Sequence, residues 1–172
     1  MMMSQVLQKA FPKFAELIRT DMPVAALNLR VKSGISSASG ASVETVGDGL
    51  QWNALPRVQP ADLVNHQIGM GLYIPGSDTL RVDYRFVLQY EADRGMVKVP
   101  NGQALPYVYV LLLHELAHWA AERDGIEEKE EVGDKAETIL YGGKIYPNTT
   151  LYNLSQKFGS YEAMVKRVRA MN

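Results

Sequence analysis

The sequence predicts an α+β fold, and three stretches predict it. Residues 107–123 contain neither Pro nor Gly and open with a nearly all-apolar run, Tyr107 to Leu113, the pattern of a helix buried on every side. Residues 69–74 and 79–84 flank Pro75-Gly76-Ser77-Asp78, a turn by composition. Leu80, Val82 and Tyr84 alternate there with Arg81 and Asp83, so the two runs read as strands of a hairpin. Residues 126–140 place acids in a first helical turn and an apolar stripe of Val132, Ala136, Ile139 and Leu140 behind them, which reads as a second helix. The expected whole is one domain, residues 1–172: a short, mostly antiparallel sheet, a buried helix, an acidic helix and a helical tail over 151–172.

In chain order, residues 4–20 set Val6, Leu7, Ala10, Phe11, Phe14 and Ile18 at near-helical spacing, with Pro12 imposing a break or kink. Residues 25–31 alternate Leu27, Leu29 and Val31 with Asn28 and Arg30 and read as a strand. The Ser- and Gly-rich residues 33–42 read as a loop, 43–46 as a short strand and 56–60 as a connection. Residues 85–90 either begin a helix or extend the preceding strand. Pro106 suits the first position of the buried helix, where its missing N–H costs nothing, and Gly125 suits its end.

Composition narrows the function. The chain has 172 residues, enough to bury a core without staples. It has no cysteine, which excludes disulfides and thiolate metal sites. A net charge of −1 gives no global drive toward nucleic acid. The N-terminal residues show no uninterrupted apolar core of a signal peptide, and no run spans a membrane, so a cytoplasmic location is expected.

Within the buried helix lies His114-Glu115-Leu116-Ala117-His118, which contains two of the chain's three histidines. Residues i and i+4 of a helix share a face, so both imidazoles can converge on one Zn²⁺, while Glu115 at the edge of that face can serve a metal-bound water as general base. Catalytic zinc normally has three protein ligands. His66 is isolated and reads as a surface or capping residue. If the chain reverses at Gly125, residues 130–134 lie beside His118. Glu130 is then the expected third ligand, with Asp134 accepting the outer N–H of a ligand histidine. Glu131 and Glu137 are its competitors, and Glu127 and Glu128 read as a solvated face.

With this motif the chain resembles the zincin superfamily on its glutamate-ligand side, a gluzincin-like H-E-x-x-H metallopeptidase. The order of strand, metal helix, Glu130–Asp134 segment and tail (Leu154, Phe158, Ala163, Met164, Arg167) looks like the ImmA/IrrE type over about the last hundred residues. His114 to Trp119 also looks like the metallopeptidase part of ArdC-like antirestriction proteins. The resemblance implies a cytoplasmic zinc peptidase that cuts a protein, in that family often a transcriptional repressor, in a phage or mobile-element setting.

The expected mechanism follows from the motif. Zn²⁺ on His114, His118 and Glu130 lowers the pKa of a bound water, and Glu115 takes its proton as the water attacks a peptide carbonyl. Tyr141, Tyr146 and His66 are the candidate oxyanion donors. The strand before the metal helix is either an ordinary sheet strand or one that pairs with an extended substrate. Two other functions compete: a zincin scaffold without activity, and a DNA- or protein-binding regulatory module. DNA contact would use the tail, where Lys157, Lys166, Arg167 and Arg169 outnumber Glu162.

Overall fold

Helices fill the first third of the molecule. The computed structural model describes residues 1–63 and 70–170. It begins with α1 (Gln5–Ala10) and α2 (Pro12–Glu16), a π-helical turn at Leu17–Asp21, then α3 (Met22–Leu27), α4 (Leu29–Ser39) and α5 (Val43–Leu50). The expected break falls at Phe11, and Pro12 takes the first position of α2.

Residues 25–31 are helical where alternation predicts a strand. Leu27 and Leu29 are 83% and 67% exposed, so the alternation belongs to the surface and marks no sheet face. Asn28 between them is a helix cap: its side chain accepts hydrogen bonds from the N–H groups of Arg30 and Val31 at 3.0 and 3.4 Å. The Ser- and Gly-rich stretch expected as a loop is the body of α4, and its small residues have a use. A Cβ on Gly34 would stand 2.7 Å from Leu140 Cδ2, so only a bare backbone lets α4 and the later helix α8 (Val132–Tyr141) approach this closely. The short strand expected at 43–46 is the start of α5, capped by Ser42, which accepts from Thr45 N–H at 3.0 Å.

The sheet comes next. Strands β1 (Arg57–Ala61), β2 (Gly71–Ile74) and β3 (Thr79–Asp83) pair in the order β1-β3-β2. The expected hairpin is there: β2 runs antiparallel to β3, with Tyr73 opposite Leu80. Its turn carries Gly76 and Asp78 in the left-handed region, and Ser77 N–H closes it onto the Ile74 carbonyl at 3.0 Å. β1, expected as a connection, is parallel to β3 at the other edge of the sheet, where a strand tolerates Pro60.

Residues 84–93 form α6 (Tyr84–Asp93), capped by the side chain of Asp83. A two-stranded antiparallel ribbon, β4 (Met96–Lys98) and β5 (Ala104–Pro106), then delivers the chain to α7 (Tyr107–Arg123). Two of the three strand pairings are thus antiparallel, and the α+β class holds.

Helix α7 runs through the centre, with Leu112, Leu113, Leu116 and Ala117 fully buried among Phe14, Ile35, Leu50 and Val82. Gly125, in the left-handed region, stops it: Ile126 N–H reaches the Ala121 carbonyl at 2.8 Å and Gly125 N–H the Glu122 carbonyl at 2.9 Å. Helix α8 returns alongside α7 and α4. The tail is helical as expected, as α9 (Leu151–Phe158) and α10 (Tyr161–Arg169), packed on α6 and α1.

A buried charge network ties the tail to the sheet. The Arg85 guanidinium donates to both carboxylate oxygens of Asp83 at 2.7 and 2.6 Å, to Asp62 at 2.9 Å and to the Ser155 hydroxyl at 2.9 Å. No helix among the described residues is long and apolar enough to cross a membrane.

Candidate metal centre

Three side chains meet where α7 faces the start of α8. His114 and His118 lie one turn apart on α7, with ring centroids 5.4 Å apart. Both direct Nε2 at one oxygen: Glu131 Oε1 is 3.3 Å from the His114 nitrogen and 2.5 Å from that of His118. The two Nδ1 atoms turn outward onto other carboxylates, His114 to Glu137 Oε1 and His118 to Glu128 Oε2, each at 2.8 Å. That is the carboxylate–histidine pairing that fixes ring orientation and tautomer at a metal site.

Glu131 occupies its place because it is the N-cap residue of α8. Its Oε2 accepts the Asp134 N–H, which leaves Oε1 to the histidines. Glycine makes the approach possible. A Cβ on Gly133 would stand 2.3 Å from the His114 ring, and one on Gly71 would stand 2.4 Å from Glu115 Oε1.

Glu115 is buried between α7 and the outer edge of β2, where its Oε2 accepts the Tyr73 N–H at 2.6 Å. Burial pushes its carboxyl above the usual range, against the pull of His114, His118 and the Tyr73 N–H. Burial also works against the charge on His114. The Glu137 hydrogen bond and the charges of Glu115, Glu131 and Glu137 outweigh it and hold the imidazolium up to about 9.

The structure brings His114, Glu115 and His118 together as expected from the motif but leaves Glu130 outside. The Glu130 carboxylate is exposed, with Lys135 at 4.0 Å as its ion-pair partner. The physical reason is the turn: the loop after Gly125 reaches α7 with the capping residue of α8, one position later than antiparallel spacing suggests. Asp134 pairs with Lys144 at 2.6 Å instead of orienting a histidine. Glu137, a competitor for ligation, is a buried orienting group whose second oxygen accepts the Ile145 N–H at 2.6 Å. Glu128, expected as solvated surface, holds His118. His114, Asp134 and Glu137 also form a group of possible metal ligands. Lys144 and Ile145 N–H already engage its two carboxylates, so the His114, His118 and Glu131 set suits a metal better.

The set opens into a cleft of about 480 Å³, bounded by Gly71, Leu72, Tyr73 and Pro75 on one side and Glu122, Ile126 and Glu128 on the other. Of the expected oxyanion donors, Tyr141 is buried away from this cleft, Tyr146 is 67% exposed, and His66 lies outside the described residues.

A model of the metallopeptidase toxin 3 family matches residues 7–142, most of the chain. The chain belongs to that family. No curated protein and no solved structure matches. Membership makes this a metallopeptidase domain and thereby implies a metal ion, for which His114, His118 and Glu131 are the candidate site. The family match starts at α1 and stops at the end of α8, so the helical region before the sheet belongs to it, whereas the resemblance seen in the sequence covered only the later part. The match carries the metallopeptidase half of that resemblance and lends nothing to the ImmA/IrrE or ArdC specifics.

Proposed function

We propose that the protein is a zinc-dependent peptidase in which His114, His118 and Glu131 hold the metal and Glu115 is the general base. The observation that carries this reading is the convergence of two imidazole Nε2 atoms on one carboxylate oxygen, with both Nδ1 atoms anchored behind them. Two nitrogens and one oxygen suit zinc, and the open cleft leaves room for water and substrate.

Bound zinc supplies Lewis acidity, which polarises a carbonyl and lowers the pKa of water toward about 7. The remaining work falls to the chain. Glu115, fixed by the Tyr73 N–H, accepts the proton of the attacking water and returns it to the leaving amine. Its buried position raises its basicity for that task. Glu137 and Glu128 keep the imidazoles aimed. β2 is the outer strand of the described sheet and lines the cleft, and this is the side along which an extended peptide would run.

The test is metal content by mass spectrometry together with hydrolysis of a peptide library by wild type, Glu115→Gln and Glu131→Gln. The expected result is one zinc per chain in wild type and in Glu115→Gln, hydrolysis by wild type alone, and loss of zinc in Glu131→Gln. A purified protein that takes up no stoichiometric zinc would overturn the reading.

A further inference from the structure

The cleft continues past the metal ligands. His114, His118 and Glu122 succeed one another at four-residue steps along α7, so Glu122 lies one helical turn, about 6 Å, beyond His118. Of the four carboxylates that line the cleft, Glu115, Glu128 and Glu131 have tasks in the proposed reaction, and Glu122 has none. Its Oε1 accepts the Gly76 N–H at 2.7 Å, which holds the carboxylate against the hairpin turn. Leu72, Pro75 and Ile126 supply apolar surface in the same cleft, and Ile126 is 40% exposed. No Lys or Arg is among the described residues that line this cleft. Arg123, the nearest cation in the sequence, lines the adjoining pocket, which Glu122 also borders, and its ion-pair partner there is Asp78 at 3.9 Å.

We propose that this end of the cleft is a specificity subsite for a lysine or arginine side chain next to the scissile bond, with Glu122 as its determinant. The proposal rests on the peptidase reading above and names its substrate class. A long basic side chain has the two parts the subsite offers to receive: an alkyl stem for Leu72, Pro75 and Ile126, and a cationic head for a fixed carboxylate.

The experiment uses the zinc-loaded full chain and matched fluorogenic peptides that differ at one position: lysine, arginine, norleucine or glutamate. Wild type should cleave the lysine and arginine peptides about two- to fivefold faster than norleucine, with glutamate slowest. Glu122→Gln keeps the acceptor for Gly76 and should abolish the preference; Glu122→Lys should reverse it toward glutamate. Equal rates across the four peptides in wild type, or a preference that survives in Glu122→Gln, would sink the proposal while leaving the peptidase intact. If no peptide is cleaved, the peptidase reading fails, and the subsite is then read from binding. Fluorescence anisotropy with Glu115→Gln and with metal-free wild type should show the lysine peptide bound about fivefold tighter than norleucine, and equal affinities would overturn it.

Discussion

Two charged clusters are built beside the same hairpin, and they are put together in opposite ways. At the end of β3, Asp83, Arg85, Asp62 and Ser155 satisfy one another, and Asp83 is wholly buried. Beside β2, His114, His118 and Glu131 bring like groups face to face. Two Nε2 atoms share one half-exposed carboxylate oxygen while the open cleft lies in front. The first arrangement is closed: each charge has found its opposite within the chain, and the result is a rivet between sheet and tail. The second is open: its imidazoles and carboxylates line a cleft. A fold can therefore use charged residues for anchorage or for a candidate site, and the deciding feature here is whether the cluster is sealed in the interior or opens into a cleft.

That contrast can be broken from either side. The largest effect is expected from Glu115→Gln, which should cut peptide hydrolysis by about 10²–10⁴-fold while zinc content and thermal midpoint stay near wild type. Steady-state kinetics beside metal analysis checks both halves. Asp83→Ala should do the reverse. Removing one partner strands the Arg85 guanidinium in the interior and should cost about 3–5 kcal/mol in urea unfolding, while the folded fraction keeps its zinc affinity. Glu137→Gln and Glu128→Gln sharpen the comparison within the centre. Each should weaken zinc binding by about 10–100-fold in a competition titration. Glu137→Gln should also lower stability, because Glu137 is buried and holds the Ile145 N–H.

A smaller change lies between the two clusters in kind. Asp124 at the end of α7 accepts from Ser42 N–H and Thr45, and the Ser42 N–H first, then Thr45, holds its carboxyl below the ordinary range. A depressed folded-state value means the contribution is complete above the unfolded value of about 3.9 and is lost as pH falls through the folded one. Asp124→Asn should therefore remove about 0.5–1 kcal/mol at neutral pH and flatten the acid limb of the stability curve, as read from urea midpoints against pH.

The centre of the molecule was legible in the sequence because local signals agree there. Helix α7 has an apolar run, a clear start and a glycine stop, and β2–β3 has alternation around a turn. The N-terminal third misled for a physical reason. Leu27, Asn28 and Leu29 mimic a strand, yet two of them face solvent and the third caps a helix. Small residues in α4 look like a loop until α8 is packed against them. At the candidate centre, the structure places Glu131, one residue after the expected Glu130, against the histidines, because the N-cap geometry of Glu131, not antiparallel registry, selects the oxygen that faces them. Gly133 was the available clue. A glycine inside a helical pattern marks a close neighbour, and here the neighbour is the His114 ring.

Glu131 grips two things with its two oxygens, and this makes the centre a thermodynamic joint. Any ion that draws on Oε1 also bears on the carboxylate that starts α8, and α8 is packed along α4 and α7. Occupancy and cohesion become one equilibrium. A chelator should loosen the packing of α8 on α4 and α7, and a free metal concentration a hundred times its dissociation constant should firm the whole body by about 2.7 kcal/mol. The melting curve is then a gauge of metal occupancy that needs no substrate.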